Sequence, residues 1–279
     1  MIPDIAIVIP VRNAYKTISR CVDSVLEQND LNVQCIVIDS ISTDGTSEIL
    51  LKYEKRITYI REEDSGIADA MNKGVKLSRA SLIGILDADD YYLPNVLKMI
   101  LDYHRSNNNI IICCSMNIVG NNINYIHNPI NFFNLEIGMV INHTATFTPK
   151  VIFENLRSYN KKYKIVADWD FYRRAYRSGY KFKKLNTVST IYSTGGTTTQ
   201  NSKLLNSEVI DLIKDSRIPI LKKALIIFKR KYIYSIFSKY LTNLSHFKNS
   251  LKYNYLLKKK DFIFNIKEKI ITIKEHKKR

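Results

Sequence analysis

The feature that most limits the possible folds is a short apolar run that ends in a group of carboxylates. Residues 82–86 are apolar apart from one glycine, which is typical of a parallel strand buried on both faces. Asp87, Asp89 and Asp90 follow directly. Because buried carboxylates are costly unless they are paired or bind a metal, we expect them at the carboxyl edge of an open α/β sheet, where ligands bind.

The spacing of these acids predicts a metal site. Asp87 and Asp89 would offer oxygen ligands to a hard divalent cation and leave coordination positions free for a diphosphate and water. The alternative is that Asp90 caps the helix predicted after it. Capping needs one carboxylate, whereas the chain supplies three.

Apolar runs alternate with amphipathic segments over the first hundred residues, which predicts an α/β fold with a doubly wound sheet. The predicted strands are 5–9 (ended by Pro10), 33–39, 57–60 and 82–86, and the predicted helices are 14–28, 47–54, 66–77 and 94–104. Farther along, strands are predicted at 110–115, 140–147, 181–184 and 188–192, with helices from Asp168 to near Gly179 and at 204–213. The asparagine-rich stretch 117–134 is predicted as a loop or a short hairpin, and residues 195–199 as a flexible lid.

The positive charge is concentrated near the C-terminal end. The formal net charge is +17, and residues 216–279 contain 18 lysines and arginines against three acidic residues. We therefore predict a domain at 1–215 and a basic, mainly helical extension at 216–279 that binds an anionic surface. A membrane is the favoured partner of this extension, and nucleic acid is the alternative.

Several classes of protein are disfavoured by the sequence. It has no uninterrupted apolar run of 18 residues, and a strand begins already at Ile5, so neither a membrane-spanning helix nor a signal peptide is predicted. The four cysteines lack the spacing of a metal site, which predicts buried thiols in a reducing compartment. The chain also lacks the phosphate-loop, dinucleotide-binding, zinc-protease and nucleophile-elbow motifs.

Six short motifs occur in a defined order: IVIPVRN at 7–13, DSISTDGT at 39–46, DSGIADAMNKG at 64–74, LDADD at 86–90, ADWD at 167–170 and a glycine pair at 195–196. Together they resemble family 2 glycosyltransferases, which are inverting, nucleotide-sugar-dependent enzymes with the GT-A fold. The resemblance covers about residues 4–200. It implies a mixed, mainly parallel sheet flanked by helices.

The resemblance also implies roles for single residues. The positions implied to bind the donor nucleotide are Pro10, Arg12, Asn13, Asp39, Asp64, Gly66, Asn72, Asp87 and Ala88. Among these, Asp39 would accept a hydrogen bond from the uracil N–H. Asp87 and Asp89 would hold Mg²⁺ or Mn²⁺, and Asp168 would be the catalytic base.

Two positions depart from the family pattern. Ser40 stands where a second acid is common, which leaves Asp39 alone to read the base. Ala167 stands where many relatives carry glutamate, so a carboxylate partner of Asp168 would be Asp170 or missing.

The implied function is the transfer of a hexosyl or N-acetylhexosaminyl group from a UDP-sugar to a hydroxyl of a lipid-linked saccharide acceptor. Such an enzyme would act in bacterial surface polysaccharide synthesis, for example of O-antigen, as a cytoplasmic protein peripheral to the inner membrane. A nucleotidyltransferase is one alternative, but residues 10–13 contain no glycine for a phosphate loop. A nucleic-acid-binding protein is the other, but it would not explain the carboxylates at the sheet edge.

Several side chains allow a structural interpretation beside the functional one. Asp39 could cap the following turn, and Asp44 is expected to cap the helix 47–54. Trp169 and Tyr172 could be core aromatics or pack against a sugar ring. His143 is expected to be a partly buried histidine with satisfied partners, although it could line the acceptor side or join the metal. Arg173 and Arg174 are expected to be solvated.

Overall fold

The computed structural model describes residues 2–28, 30–120, 123–193 and 201–230. The strands are β1 (Ile5–Val11), β2 (Val33–Asp39), β3 (Thr58–Arg61), β4 (Leu82–Ile85), β5 (Tyr91–Tyr92), β6 (Ile110–Gly120), β7 (Ile123–His127), β8 (Thr146–Pro149) and β9 (Lys181–Ser193). The helices are α1 (Ile18–Leu26), α2 (Thr46–Leu51), α3 (Ile67–Leu77), α4 (Val96–Ser106), α5 (Lys150–Asn155), α6 (Ala167–Arg177) and α7 (Ser202–Lys214). Short 3₁₀ helices lie at Phe132–Glu136 and His143–Ala145, and residues 220–230 are helical.

The nine strands of the described residues belong to one mixed sheet, in the order β3-β2-β1-β4-β8-β6-β9-β5, with β7 paired to β6. Strands β1 to β4 are mutually parallel, and β8 joins β4 in antiparallel orientation. The carboxyl ends of β1, β2 and β4 therefore meet at one edge. The predicted α/β fold with a mixed sheet flanked by helices is confirmed.

The core lies around β1, where all seven residues are buried. Helix α1 covers the sheet with Ile18, Cys21, Val22 and Val25. Helix α3 approaches β1 so closely that a Cβ at Gly74 would lie 2.1 Å from Cγ1 of Val8. Glycine is therefore required at this crossing, because any side chain there would displace Val8.

Pro10 does not end the first strand, as predicted, but lies within β1. Strand β4 pairs only with Ala6–Val8 of β1, whereas Pro10 pairs with Ile38 of β2. Proline is tolerated at this point because the pairing with β4, which would need the missing N–H, has already ended.

The predicted strand 140–147 is wrong over most of its length. The side chain of Asn142 accepts a hydrogen bond from the backbone N–H of Thr144 and starts a 3₁₀ turn, so strand β8 begins only at Thr146. Asparagine side chains compete with strand formation in this way.

Other boundaries also differ. Helix α1 begins four residues later than predicted, after a turn at 14–17, and α4 begins at Val96 because the short strand β5 precedes it. The predicted hairpin alternative for the asparagine-rich stretch is confirmed by β6 and β7. The two predicted strands at 181–192 form the single strand β9, and α5 was not predicted.

The chain divides into two compact units, Met1–Ala224 and Leu225–Arg279. The predicted boundary at 215/216 stays a prediction. All four cysteines are buried free thiols. No helix in the described part of the chain is both long and apolar enough to cross a membrane. The predicted lid at 195–199 lies outside the described residues.

Candidate active site

A cluster of three carboxylates follows β4 at the carboxyl edge of the sheet. Asp87, Asp89 and Asp90 each offer an oxygen, and these oxygens all lie within 4.8 Å of one another. Burial and the negative charge of Asp87 raise the pKa of Asp89, and they raise the pKa of Asp90 to about 8. Like charges held this close favour the binding of a cation or a proton.

The composition of the cluster fits Mg²⁺ or Mn²⁺, which prefer oxygen ligands. Oδ2 of Asp90 is buried without a hydrogen-bond partner among the described residues, so the cluster is not saturated by the protein. The alternative that Asp90 caps the next helix is wrong, because α4 begins only at Val96.

Two side chains distant in sequence hold this acidic loop. Arg20 on α1 donates to the backbone oxygen of Asp89 at 2.9 Å, and its guanidinium stacks on Tyr91 at 4.3 Å. At the end of β9, Ser193 donates its hydroxyl to the same oxygen at 2.8 Å and its N–H to Oδ1 of Asp90 at 2.9 Å. Sequence reasoning missed both residues because no local pattern marks them.

His143 joins the acidic cluster to Asp168. Its Nε2 lies 3.1 Å from Oδ1 of Asp87, and its Nδ1 lies 3.0 Å from Oδ2 of Asp168. The three side chains are only 17–24% exposed. Burial alone would lower the pKa of His143, but the two carboxylates raise it well above its usual value. A protonated imidazole can donate to both acids at once, so the predicted satisfied, partly buried histidine is confirmed.

Asp168 lies in the first turn of α6, with Oδ1 accepting from the N–H of Trp169 at 2.7 Å. Asp170 is not a second carboxylate for it, because Asp170 accepts from Nε of Arg174 at 2.8 Å. Trp169 and Tyr172 are 3% and 1% exposed, so the core interpretation of both aromatics is confirmed. Asp168 is therefore a partly exposed carboxylate on a helix whose Trp169 and Tyr172 pack in the core.

The expectation that Arg173 and Arg174 are solvated is wrong. Arg173 is 2% exposed, and its guanidinium donates to the backbone oxygen of Leu212 and to Asp215. Arg174 donates to Asp170 and to the backbone oxygens of Leu156 and Ser158. Arg173 is buried and Arg174 is partly exposed, and both donate to carbonyl groups at the ends of neighbouring helices.

Asp39, at the end of β2, is fully buried and receives four hydrogen bonds. Its Oδ1 accepts from the N–H and the hydroxyl of Ser42, and its Oδ2 accepts from Ser47 and Tyr59. Burial raises the pKa of Asp39, but these bonds outweigh it and hold the pKa below its ordinary value. The interpretation as a turn cap thus matches the geometry. A contact with the base would require replacing one of these donors, and that role stays a prediction.

The loop after β1 is tied to the loop after β2. The N–H of Asn13 donates to Ser42, and its side chain accepts from the N–H of Thr43 at 2.8 Å. Pro10 is buried and Arg12 is exposed beside them. Asp44 accepts from the N–H of Thr46, the first residue of α2, although the N-cap residue of this helix is Gly45 and not Asp44 as predicted.

The predicted nucleotide-flanking stretch, at the start of α3, is held by polar contacts within the protein. Asp64 accepts from the N–H of Gly66, which has a φ of 123° and requires glycine. Asn72 forms two hydrogen bonds of 2.9 Å with the backbone of Tyr159. The implied roles of Asp64, Gly66 and Asn72, like that of Ala88 inside the acidic loop, stay predictions.

Comparison with known proteins places these features in one family. A family model described as glycosyl transferase family 2 matches residues 6–188. The chain is 28% identical over 254 residues to a chondroitin synthase of Escherichia coli, which covers 88% of the chain and 35% of that protein. It is also 28% identical to a hyaluronan synthase of Pasteurella multocida, over 67% of the chain and 20% of that protein. The chain thus spans about a third or less of these relatives.

Among solved structures, S. aureus TarS in complex with UDP superposes with a TM-score of 0.60 and 16% identity. The match covers 89% of this chain and 76% of that one. At this level of identity the likeness concerns the fold.

Proposed function

The chain belongs to glycosyl transferase family 2, and we propose from this that it transfers a sugar from a UDP-sugar to a hydroxyl of a lipid-linked saccharide, with inversion at the anomeric carbon. The observation that carries the proposal is the line of contacts Asp87–His143–Asp168. It connects a cluster of carboxylates suited to a metal and diphosphate with a separate carboxylate suited to proton transfer. The names of the relatives support a saccharide acceptor, and the UDP complex of TarS supports the nucleotide.

The proposed reaction is a single displacement. Asp168 accepts the proton of the acceptor hydroxyl while the hydroxyl oxygen attacks the anomeric carbon. The nucleoside diphosphate leaves from the opposite face. General-base assistance of this kind contributes about 10²–10⁴-fold. The contact with His143 keeps Oδ2 of Asp168 in a fixed orientation.

On the donor side, Asp87 and Asp89 would hold Mg²⁺ or Mn²⁺. Such a cation would act as a Lewis acid that neutralises the charge developing on the leaving diphosphate. Arg20 and Ser193 contribute by fixing the loop that carries these acids.

We also propose that the basic extension binds the anionic surface of a membrane. Within the described residues 220–230, Ile220, Leu221, Leu225 and Phe228 are 51–83% exposed, and lysines alternate with them. Exposed apolar side chains among cations are typical of segments that lie at a lipid surface.

The proposed reaction is tested by incubating the full chain with a panel of UDP-hexoses and UDP-N-acetylhexosamines, Mn²⁺ and oligosaccharide acceptors. We expect one donor to give a product whose anomeric configuration, read by NMR, is opposite to that of the donor. A product with retained configuration would contradict the inverting mechanism. Incorporation of the nucleotide, rather than the sugar, would favour a nucleotidyltransferase.

A further inference from the structure

Glu208 on α7 lies outside every motif of the sequence, yet it holds the backbone that leads into α6. The side chain is buried, and Glu208 is 7% exposed. Its Oε1 accepts from the N–H of Lys164 at 2.8 Å, and its Oε2 accepts from the N–H groups of Ile165 and Val166 at 2.9 and 3.2 Å. One carboxylate thus binds three consecutive N–H groups directly before the helix that carries Asp168.

This contact is a polar anchor at the start of α6. Val166, the N-cap residue of α6, makes no side-chain capping bond of its own. Hydrogen bonds from backbone N–H groups to an ionised carboxylate are shorter and stronger than neutral ones. A negative charge at this end of a helix is also favoured by the helix dipole.

The same segment is also held by α3 and by the loop directly before it. Asn72 binds both the N–H and the C=O of Tyr159, and Nζ of Lys164 donates to the backbone oxygen of Ser65. Residues 159–166 are therefore held between the two helices, and the first turn of α6 begins from a fixed point. Loss of the Glu208 contact would remove the hydrogen bonds to the N–H groups of 164–166 and leave the contacts of Asn72 and Ser65 in place.

We propose that Glu208 is a positioning residue for sugar transfer, which acts by keeping the Asp168 carboxylate in its place against His143. The inference rests on the proposed role of Asp168 as the base. Glu208 contacts neither of these side chains in the hydrogen bonds of the described residues, so its effect on turnover is transmitted through the backbone at 164–166.

The test is a double-mutant cycle of Glu208→Ala and Asp168→Asn in the full chain, with steady-state kinetics for the donor and acceptor. Because misplacement of a reacting group by about 1 Å can cost up to ~10²-fold, Glu208→Ala should lower kcat by tenfold or more and leave the KM of the donor nearly unchanged. In the Asp168→Asn background the same substitution should have little further effect, since coupled residues are not additive. Glu208→Gln, which keeps one acceptor oxygen, should recover part of kcat.

Asp211→Ala is the matched control. Asp211 lies one turn along the same helix and binds the side chains of Lys162 and Tyr163, but no N–H of 164–166. This variant should keep the wild-type kcat. Thermal unfolding shows whether each variant is folded. If Glu208→Ala does not fold, Glu208→Gln is used in its place in the double-mutant cycle.

Three outcomes would overturn the inference, and they are distinguishable. An equal loss of kcat from Glu208→Ala in both backgrounds would show that Glu208 does not act through Asp168. A normal kcat in Glu208→Ala beside an inactive Asp168→Asn would remove the positioning role and leave the proposed function intact. A normal kcat in Asp168→Asn would contradict the proposed base itself and the inference with it.

Discussion

His143 is the residue that brings the two parts of the site together. It is separated from Asp87 by 56 positions and from Asp168 by 25. The antiparallel pairing of Gly84 with Phe147 explains the contact, because residues before Phe147 then lie beside residues after Gly84. The sequence predicted Asp87 and Asp168 as site residues but could not predict their link, since nothing local shows that β8 is the neighbour of β4.

The acidic cluster predicts dependence on a divalent cation. Asp89→Ala should abolish transfer without unfolding the chain, since Asp89 is only partly buried, and excess EDTA should do the same to the wild type. Activity assays with added Mn²⁺ and Mg²⁺, beside circular dichroism of the variant, provide the measurement. Full activity in excess EDTA would exclude the metal role.

Asp39 predicts a change in stability with pH. Its hydrogen bonds lower the pKa of Asp39 in the folded state. The contribution of Asp39 to the free energy of unfolding is therefore complete above the pKa of the unfolded chain, about 3.9, and is lost as the pH falls through the lower pKa of the folded state. Asp39→Asn replaces one acceptor oxygen with an NH₂ group, which cannot accept the hydrogen bonds that Asp39 receives. This substitution should lower the free energy of unfolding by about 1–3 kcal/mol at pH 7.

Urea unfolding of wild type and Asp39→Asn between neutral and acidic pH tests this prediction. The difference between the two proteins should shrink below about pH 4. Asp102→Asn, at an exposed carboxylate of α4, is the control and should leave stability nearly unchanged. A difference that stays constant over the whole range would contradict the role assigned to the Asp39 charge.

At the scale of elements, the sequence was most informative where burial alone decides the structure. The apolar runs of β1, β2 and β4 and the apolar faces of α1 and α3 follow from such patterns. Prediction failed where one polar side chain or a distant partner decides. Asn142 starts a turn inside an apolar stretch, and Arg173 is buried because α7 supplies its acceptors.

The crossing of α3 and β1 predicts a packing effect. Gly74→Ala places a Cβ 2.1 Å from Cγ1 of Val8, so the helix must move away from the strand. Overpacking of this kind costs typically ~1–3 kcal/mol, which should appear as a lower midpoint of urea unfolding. Combining it with Val8→Ala, which removes the contacting methyl groups, should recover part of the loss in a double-mutant cycle. Equal stability of Gly74→Ala and wild type would show that the two elements are not in close contact in solution.

The extension differs from the rest of the chain in its net charge. Residues 1–215 carry 25 basic and 23 acidic residues, whereas residues 216–279 carry 18 and three. The first part thus offers a nearly neutral enzyme surface with an acidic site. The membrane role proposed for the extension depends on its charge, and it should weaken as salt concentration rises.

Vesicle flotation tests that role with the full chain. Binding to phosphatidylcholine vesicles that contain phosphatidylglycerol should exceed binding to phosphatidylcholine alone. Since each surface lysine is worth about 1 kcal/mol at an anionic membrane, the double substitution Lys222→Ala/Lys229→Ala should weaken binding roughly thirtyfold. Lys52→Ala/Lys55→Ala, at exposed lysines of the first unit, is the matched control and should bind like wild type. Equal binding by both double variants would remove the proposed contact of residues 220–230.

Asp168→Asn tests whether Asp168 accepts the proton of the acceptor hydroxyl, as proposed. The substitution keeps the shape of the side chain and removes its ability to take up a proton. Product formation should be measured beside calorimetric binding of the UDP-sugar, with Asp102→Asn as the control. We expect donor affinity near that of wild type and a loss of transfer of at least ~10²-fold. Near-normal transfer by Asp168→Asn would contradict the role of Asp168 and place the base elsewhere.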